Sequence, residues 1–444
     1  MSEPNVLLAH LIQEAGMSNA GLASRVNARL GTRYDHTAVA RWIRDRAVPR
    51  GRAPEAVCTV LTERIGRTVT RADIGMEKGL PRRPVPDLES VMRHTAALWH
   101  QDGREEFFLA DARPERGPDV VVPAFVWENP PGDADVSGRG IRSIGETEII
   151  QLQQARERYQ EMYRRVGGLP VRRRLGAFLA RHATEALNAS YPDATGRRLH
   201  RTVGGLTALA GICAYDARRQ ALAQRYFFAA LRMAKASGDR GFGAYVVALL
   251  ANQAMSMGEY RLVIQYSETA LRATGASLSP ALVSDLCTMQ ARAYARIGDR
   301  LACHAQMTRS ESAAGHIRTG EEPSEASYVQ PGLVETQHAE ALRQLGDLTA
   351  AERYAVESLA MVEQAHPRGQ VHRFAGLAMV RAQAGRVDEA LEPAWQMLAR
   401  VRGMESGRLH DRVRSVRSAL VSRSAEPGVR EFAEHADAEL RLPL

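Results

Sequence analysis

The chain has 444 residues, 45% hydrophobic and 25% charged, with a net charge of +8. That length holds two or three domains of roughly 100–200 residues, and the composition excludes disorder throughout. No apolar run approaches the roughly 18–20 residues of a membrane span; the start lacks signal-peptide features; and Cys58, Cys213, Cys287 and Cys303 are too sparse for a disulfide framework and lack metal-ligand spacing.

Three helical patterns open the chain. Val6, Leu7, Leu11 and Ile12 share one helical face over residues 6–15, which Gly16 ends. Ser18 is placed to cap a second helix whose stripe is Leu22, Ala23 and Val26, with Gly31 as its stop. Asp35 caps a third over residues 37–46, with Val39, Trp42 and Ile43 facing inward, before Pro49 and Gly51 break it. Helical patterns follow over 54–65 and 71–76. Residues 1–86 carry 14 basic and 8 acidic side chains, a net of +6, so most of the molecule's excess charge sits there. A local basic excess is the footprint of a phosphate-binding module.

Gly79, Pro81, Pro84 and Pro86 mark a linker over 77–86. Residues 87–146 are the least legible. They hold one expected helix over 88–99, expected extended runs at 120–122 and 125–127 interrupted by Pro123, and a Gly-, Pro- and Asp-rich loop over 129–145.

From Glu146 onward the pattern is helical and it repeats. Turn glycines fall at Gly258, Gly298, Gly346 and Gly385, at spacings of 40, 48 and 39, each between two amphipathic segments. Small residues recur at fixed offsets: Val263, Ser267 and Ala270; Ala351, Ala355 and Ser358; Ala390, Ala394 and Met397. An earlier unit with Ala223, Phe227 and Ala230 fits if Arg218 takes the glycine's place. A hairpin of two helices cannot bury its apolar face alone, so neighbours stack. The pattern resembles tetratricopeptide repeats; the alternative is an ordinary helical bundle. The fold class expected is all-α, with a helix-turn-helix domain over 1–78, a connecting region over 79–146, and a tetratricopeptide-like solenoid over 147–444.

The run Leu22-Ala23-Ser24-Arg25-Val26, followed by Thr37-Ala38-Val39-Ala40-Arg41-Trp42, resembles the helix-turn-helix of lambda-repressor-like (XRE) regulators. Some six extra residues, 28–33, lengthen the second helix and its turn. In such folds the start of the recognition helix enters the major groove. Arg41 and Arg44 are the candidate guanine contacts, since a guanidinium reaches O6 and N7 together, with His36 and Thr37 beside them. Ser18, Asn19, Arg25, Arg33, Arg46, Arg50 and Arg52 are candidate phosphate contacts that set register. Residues 33–42, Pro49-Arg50-Gly51-Arg52 and Asp73-Ile74-Gly75, with a second block through Leu206, Leu209-Ala210-Gly211, Ala214-Tyr215-Asp216 and 223–227, resemble one family of streptomycete-type regulators. The resemblance implies a helix-turn-helix ahead of a tetratricopeptide-like region, and control, often negative, of antibiotic production and sporulation.

A stacked array presents a groove lined by the first helix of each unit. Its expected lining is Asn252, Met255, Asp285, Met289, Arg292, Arg296, Glu340, Arg343, His372, Met379 and Gln383. An Asn can clamp a peptide backbone and Met adapts to varied partners, so a peptide, a partner protein or a small effector is the expected occupant; a bare dimerisation scaffold is the alternative. No Gly-x-x-x-x-Gly-Lys loop, His-Glu-x-x-His pair or Gly-x-Ser-x-Gly elbow is present, and His182 with Glu185 lacks a third ligand. The expectation is a non-enzymatic cytoplasmic regulator, without cofactor, metal or membrane partner. It would bind double-stranded DNA as a homodimer, because one small helix-turn-helix reads too few base pairs and two half-sites about 34 Å apart remedy this. The rival reading is a protein-interaction scaffold that does not act on DNA.

Overall fold

Helical periodicity carries through to the architecture. The protein is all-α, and strand among the described residues is confined to Gly138–Arg139 pairing antiparallel with Ser190–Tyr191. The computed structural model describes residues 5–45, 47–66, 68–71, 73–76, 87–104, 113–318, 320–361, 363 and 366–441. The backbone forms two compact units, Met1–Pro86 and Asp87–Leu444.

The first unit contains α1 (Val6–Glu14), α2 (Asn19–Leu30), α3 (His36–Arg44) and α4 (Ala53–Ile65). Three starts are capped by side chains: Leu8 N donates to Asn5 Oδ1, Gly21 N to Ser18 Oγ, and Ala38 N to Asp35 Oδ1. Leu22, Ala23, Val26, Val39 and Trp42 are buried with Leu8, Leu11, Val57 and Leu61 in one core. Each large apolar side chain so buried contributes roughly 1.5–3 kcal/mol. The helix expected over 71–76 is not formed. Its described residues lie in turns, where Thr70 N donates to Asp73 Oδ2 (2.7 Å) and Asp73 N to Thr70 Oγ1 (3.3 Å). A Thr–Asp pair offers the backbone such local partners and so competes with helix. The linker over 77–86 lies outside the described residues.

The second unit begins with α5 (Leu88–Gly103) and α6 (Val122–Glu128). The extended runs expected around 120–127 are in fact helical: a 3-10 turn over Pro118–Val121 leads into α6. Pro123 sits in the first turn, where a missing N–H costs nothing, so it starts the helix rather than interrupting a strand. Next come α7 (Glu146–Val166) and α8 (Gly168–Phe178), which passes through a π-helical turn over Leu179–Ala183 into α9 (Thr184–Leu187). Trp99 of α5 and Trp127 of α6 are buried in the same core as α8 and α10–α13, so the poorly patterned stretch from 87 is part of the repeat unit.

Six hairpins follow: α10 (Asp193–Asp216) with α11 (Gln220–Ser237), α12 (Arg240–Ser256) with α13 (Tyr260–Thr274), α14 (Pro280–Ile297) with α15 (Arg300–Ala314), α16 (Leu333–Leu345) with α17 (Leu348–Ala360), α18 (Pro367–Gln383) with α19 (Val387–Val401), and α20 (Gly407–Val421) with α21 (Pro427–Arg441). The turns obey one rule. Arg218, Gly258, Gly298, Gly346 and Gly385 all have φ between 62° and 83°. At each, the next residue's N–H donates to the carbonyl five residues back, at 2.9–3.0 Å, which closes the helix in a Schellman motif. Arg218 is the one non-glycine with positive φ among the described residues; its guanidinium bonds Gly407 O and the Asp411 carboxylate. The small residues at the shared offsets are all buried, and in the hairpin after Gly298 the same places go to Cys303, Met307 and Ser310.

The array also returns on itself. Asp216, fully buried at the end of α10, accepts from Gly168 N (2.8 Å) and Ser406 Oγ (2.7 Å) and pairs with Arg368 of α18. Glu405 N donates to Val166 O (2.9 Å). A Cβ on Gly168 would lie 2.7 Å from Cys213 O, so only glycine allows this approach.

Candidate functional site

The candidate nucleic-acid interface is the outer face of α3. At about 100° per residue, Ala38, Val39, Trp42 and Ile43 fall on one side and His36, Thr37, Ala40, Arg41 and Arg44 on the other. Ala38, Val39 and Trp42 are buried, while His36, Thr37, Arg41 and Arg44 are exposed. The core therefore dictates what the helix presents. The insertion before α3 is absorbed as the spacing predicts: α2 runs to Leu30 and the turn takes 31–35. A residue the sequence reading passed over locks this turn. Asn27 Oδ1 accepts from Tyr34 N and Thr32 Oγ1, both at 2.8 Å, and its Nδ2 donates to Tyr34 O (2.7 Å). The Tyr34 ring then meets Trp42 edge-on at 5.1 Å.

The candidate contacts differ in their partners. Among the described residues Arg41 has no paired carboxylate, whereas Arg44 donates to both oxygens of Asp45 (2.9 and 3.2 Å) and must exchange that partner to meet a base. Thr37 Oγ1 donates to Asp35 (2.7 Å). This bond and the one from Ala38 N hold the Asp35 carboxyl below its usual range. Ser18 accepts from Gly21 N, which leaves its exposed hydroxyl proton for a phosphate, and Asn19 is half-buried beside it. Arg25, Arg33, Arg50 and Arg52 are exposed and make no ion pair among the described residues, as is Arg64 of α4. Arg29 and Arg71 are by contrast tied to Glu63 and Glu55 within the unit. Arg46 lies outside the described residues.

The repeat groove is more selective than its sequence pattern. Asp285 and Met289, expected to line it, are 4% and 3% exposed and belong to the interior. Asp285 accepts from Tyr328 Oη (2.6 Å), and burial pushes its carboxyl up to about 6. Met255 and Met379 are half-buried against core clusters. Asn252 is engaged by Tyr215 Oη, which donates to its Oδ1 (3.1 Å) and backbone O (3.2 Å). Arg292, Arg296, Glu340, Arg343, His372 and Gln383 are brought together around Glu340.

Ser310, His338 and Glu311 form an arrangement the sequence does not betray. Ser310 Oγ is 2.7 Å from His338 Nε2, and His338 Nδ1 is 3.3 Å from Glu311 Oε1. This is the order of a nucleophile, base and orienting carboxylate, but Ser310 and His338 have no exposed surface, and Ser310 Oγ donates to Met307 O. The three side chains pin α15 to α16. All four cysteines are buried free thiols, and no cluster of metal-ligating side chains occurs among the described residues. No helix among them is long and apolar enough to cross a membrane.

Buried histidines supply a pH dependence. His200, His338, His366, His372 and His410 are all held below the ordinary imidazole value, by burial first; His338 and His366 fall to about 4. The unfolded chain takes up protons these side chains refuse in the fold, so stability falls as pH drops below about 6.5. Asp285, raised to about 6, works the opposite way below that value. The histidine effect is therefore cleanest between about pH 6 and 7. Melting temperature measured across this window should fall with acidification, and a flat profile contradicts the assignment.

A family model described as the SP15 N-terminal domain matches residues 8–77, which reach from α1 through the turns after α4. A search of curated proteins finds no match to the chain.

Proposed function

We propose that the protein is a sequence-specific DNA-binding regulator of transcription that acts in the cytoplasm on the nucleoid. Its first unit reads an operator, and its repeat unit dimerises and responds to an effector. The observation that carries this reading is the uncovered face of α3. Among the described residues Arg41 has no carboxylate partner there, and the exposed Arg25, Arg33, Arg50 and Arg52 of the same unit make no ion pair either, in a unit that carries a net +6 of the chain's +8. Repression is the sign that the family resemblance implies. A gel shift against genomic fragments that include the protein's own promoter tests the reading. Salt-sensitive, sequence-specific retardation supports it; none at low salt favours the scaffold.

Two variants separate base reading from phosphate binding. Arg41→Ala should weaken operator binding by about 1–3 kcal/mol with the fold intact, and unchanged affinity would remove it from the interface. Arg50→Ala should weaken binding to every sequence alike and lower the salt slope by about one ion. A slope equal to wild type would strike it from the phosphate contacts.

A further inference from the structure

The inner face of the repeat unit holds more positive charge than the protein neutralises. α14, α16, α18 and α20 are first helices of successive hairpins, and each packs on the next. Side chains from three of them converge on one carboxylate. Glu340 of α16 lies 3.6 Å from Arg296 of α14, 3.6 Å from Arg343 of its own helix, and 3.4 Å from Arg412 of α20. Arg292, one turn before Arg296, acts on the same carboxylate. It makes no hydrogen bond among the described residues, and its Nε is buried without a partner. Four guanidinium groups therefore share one carboxylate.

The neighbours do not cancel this excess. His372 of α18 receives Arg412 Nε at 3.3 Å and is kept neutral by burial and by the arginines around it. Gln383 accepts from Arg343 at 2.9 Å. In a half-buried setting, like charges repel far more than in water, so the cluster is costly unless another anion joins it. The patch is also compact. Arg296, Arg343 and Arg412 lie within 3.6 Å of one carboxylate and Arg292 acts on it, with Arg408 of α20 close by over the Tyr215 ring, so the cations gather on α14, α16 and α20. Arg218 pairs with Asp411, tying the first hairpin to the last.

We infer that this cluster binds a small polyanion, a di- or tricarboxylate or a phosphate compound, held by Arg292, Arg296, Arg343 and Arg412. Arg292 supplies the unused donors, and the ligand's charge takes up what Glu340 leaves over. Such a ligand bridges α14, α16 and α20, so it links hairpins distant in sequence. The inference stands whether or not the first unit binds DNA.

Titration calorimetry of the full chain with citrate, and separately with inorganic pyrophosphate at matched ionic strength, tests it. One saturable site per chain is expected; preference for citrate assigns the ligand to the carboxylates, and preference for pyrophosphate to the phosphates. Arg292→Gln and Arg412→Gln should each weaken binding about tenfold or more. Glu340→Gln should tighten it several-fold by removing the competing anion. Arg430→Gln, on the exposed side of α21, should leave it unchanged. Absence of saturable binding by either anion at millimolar concentration overturns the inference. So does binding that Arg292→Gln and Arg412→Gln leave intact, since the anion then sits elsewhere. If Glu340→Gln does not fold, as circular dichroism will show, the two arginine variants decide, because each relieves repulsion.

Discussion

Replacing Asp216 with alanine should destabilise the repeat unit by about 3–5 kcal/mol, because it leaves a buried cation without its partner. The Arg368 side chain is 5% exposed and that of Asp216 is fully buried. The same carboxylate accepts from Gly168 N and Ser406 Oγ. One substitution thus orphans a guanidinium, an amide and a hydroxyl drawn from α8, α18 and the start of α20. Asp216→Asn keeps an acceptor but loses the charge, and its cost should be smaller. Urea unfolding followed by circular dichroism measures both. A loss for Asp216→Ala below about 1 kcal/mol, the level of an average substitution, would show that the closure of the array contributes little.

Trp42→Ala has the second large expected effect. Trp42 is 4% exposed, packs edge-on against Tyr34, and joins α3 to the core of the first unit. Emptying a Trp site costs about 3–5 kcal/mol. A small domain has a total stability of about 5–15 kcal/mol, so this removes a large part of it. The expected result is loss of the first unit's helical signal and of any DNA binding, with the melting transition of the second unit unmoved. Trp42→Phe should keep most of both. A drop in the second transition as well would mean that the two units do not unfold independently.

Legibility followed the range of the interactions. The helices of the first unit, the side chains that cap them and the division of α3 into buried and exposed faces could be read directly. Each depends on residues within a few positions of one another. The repeat turns were equally plain, down to Arg218 standing in a glycine's place, since a left-handed turn leaves a local mark. Asn27 left a weaker mark. Its Thr32 and Tyr34 partners are close in sequence, but nothing in the pattern says that one amide will serve both. The extended runs expected around 120–127 failed because the short helix there is fixed by distant surfaces. The buried Trp127 packs in the core with α11 and α13, and Tyr266 Oη donates to Val120 O across 146 positions.

By itself, the sequence determined the all-α class, the two kinds of helical region, the stacking of hairpins and the residues that α3 exposes. Period and turn chemistry are local, and burial of one helical face leaves only one way for the other to point. The tertiary structure alone decided which groove residues meet. It withdrew Asp285 and Met289 into the core and brought Arg412 to Glu340 from 72 positions away. It also tied Arg218 to Asp411. The curvature of a stacked array sums many small rotations between neighbouring hairpins, and no single repeat records where that sum will close.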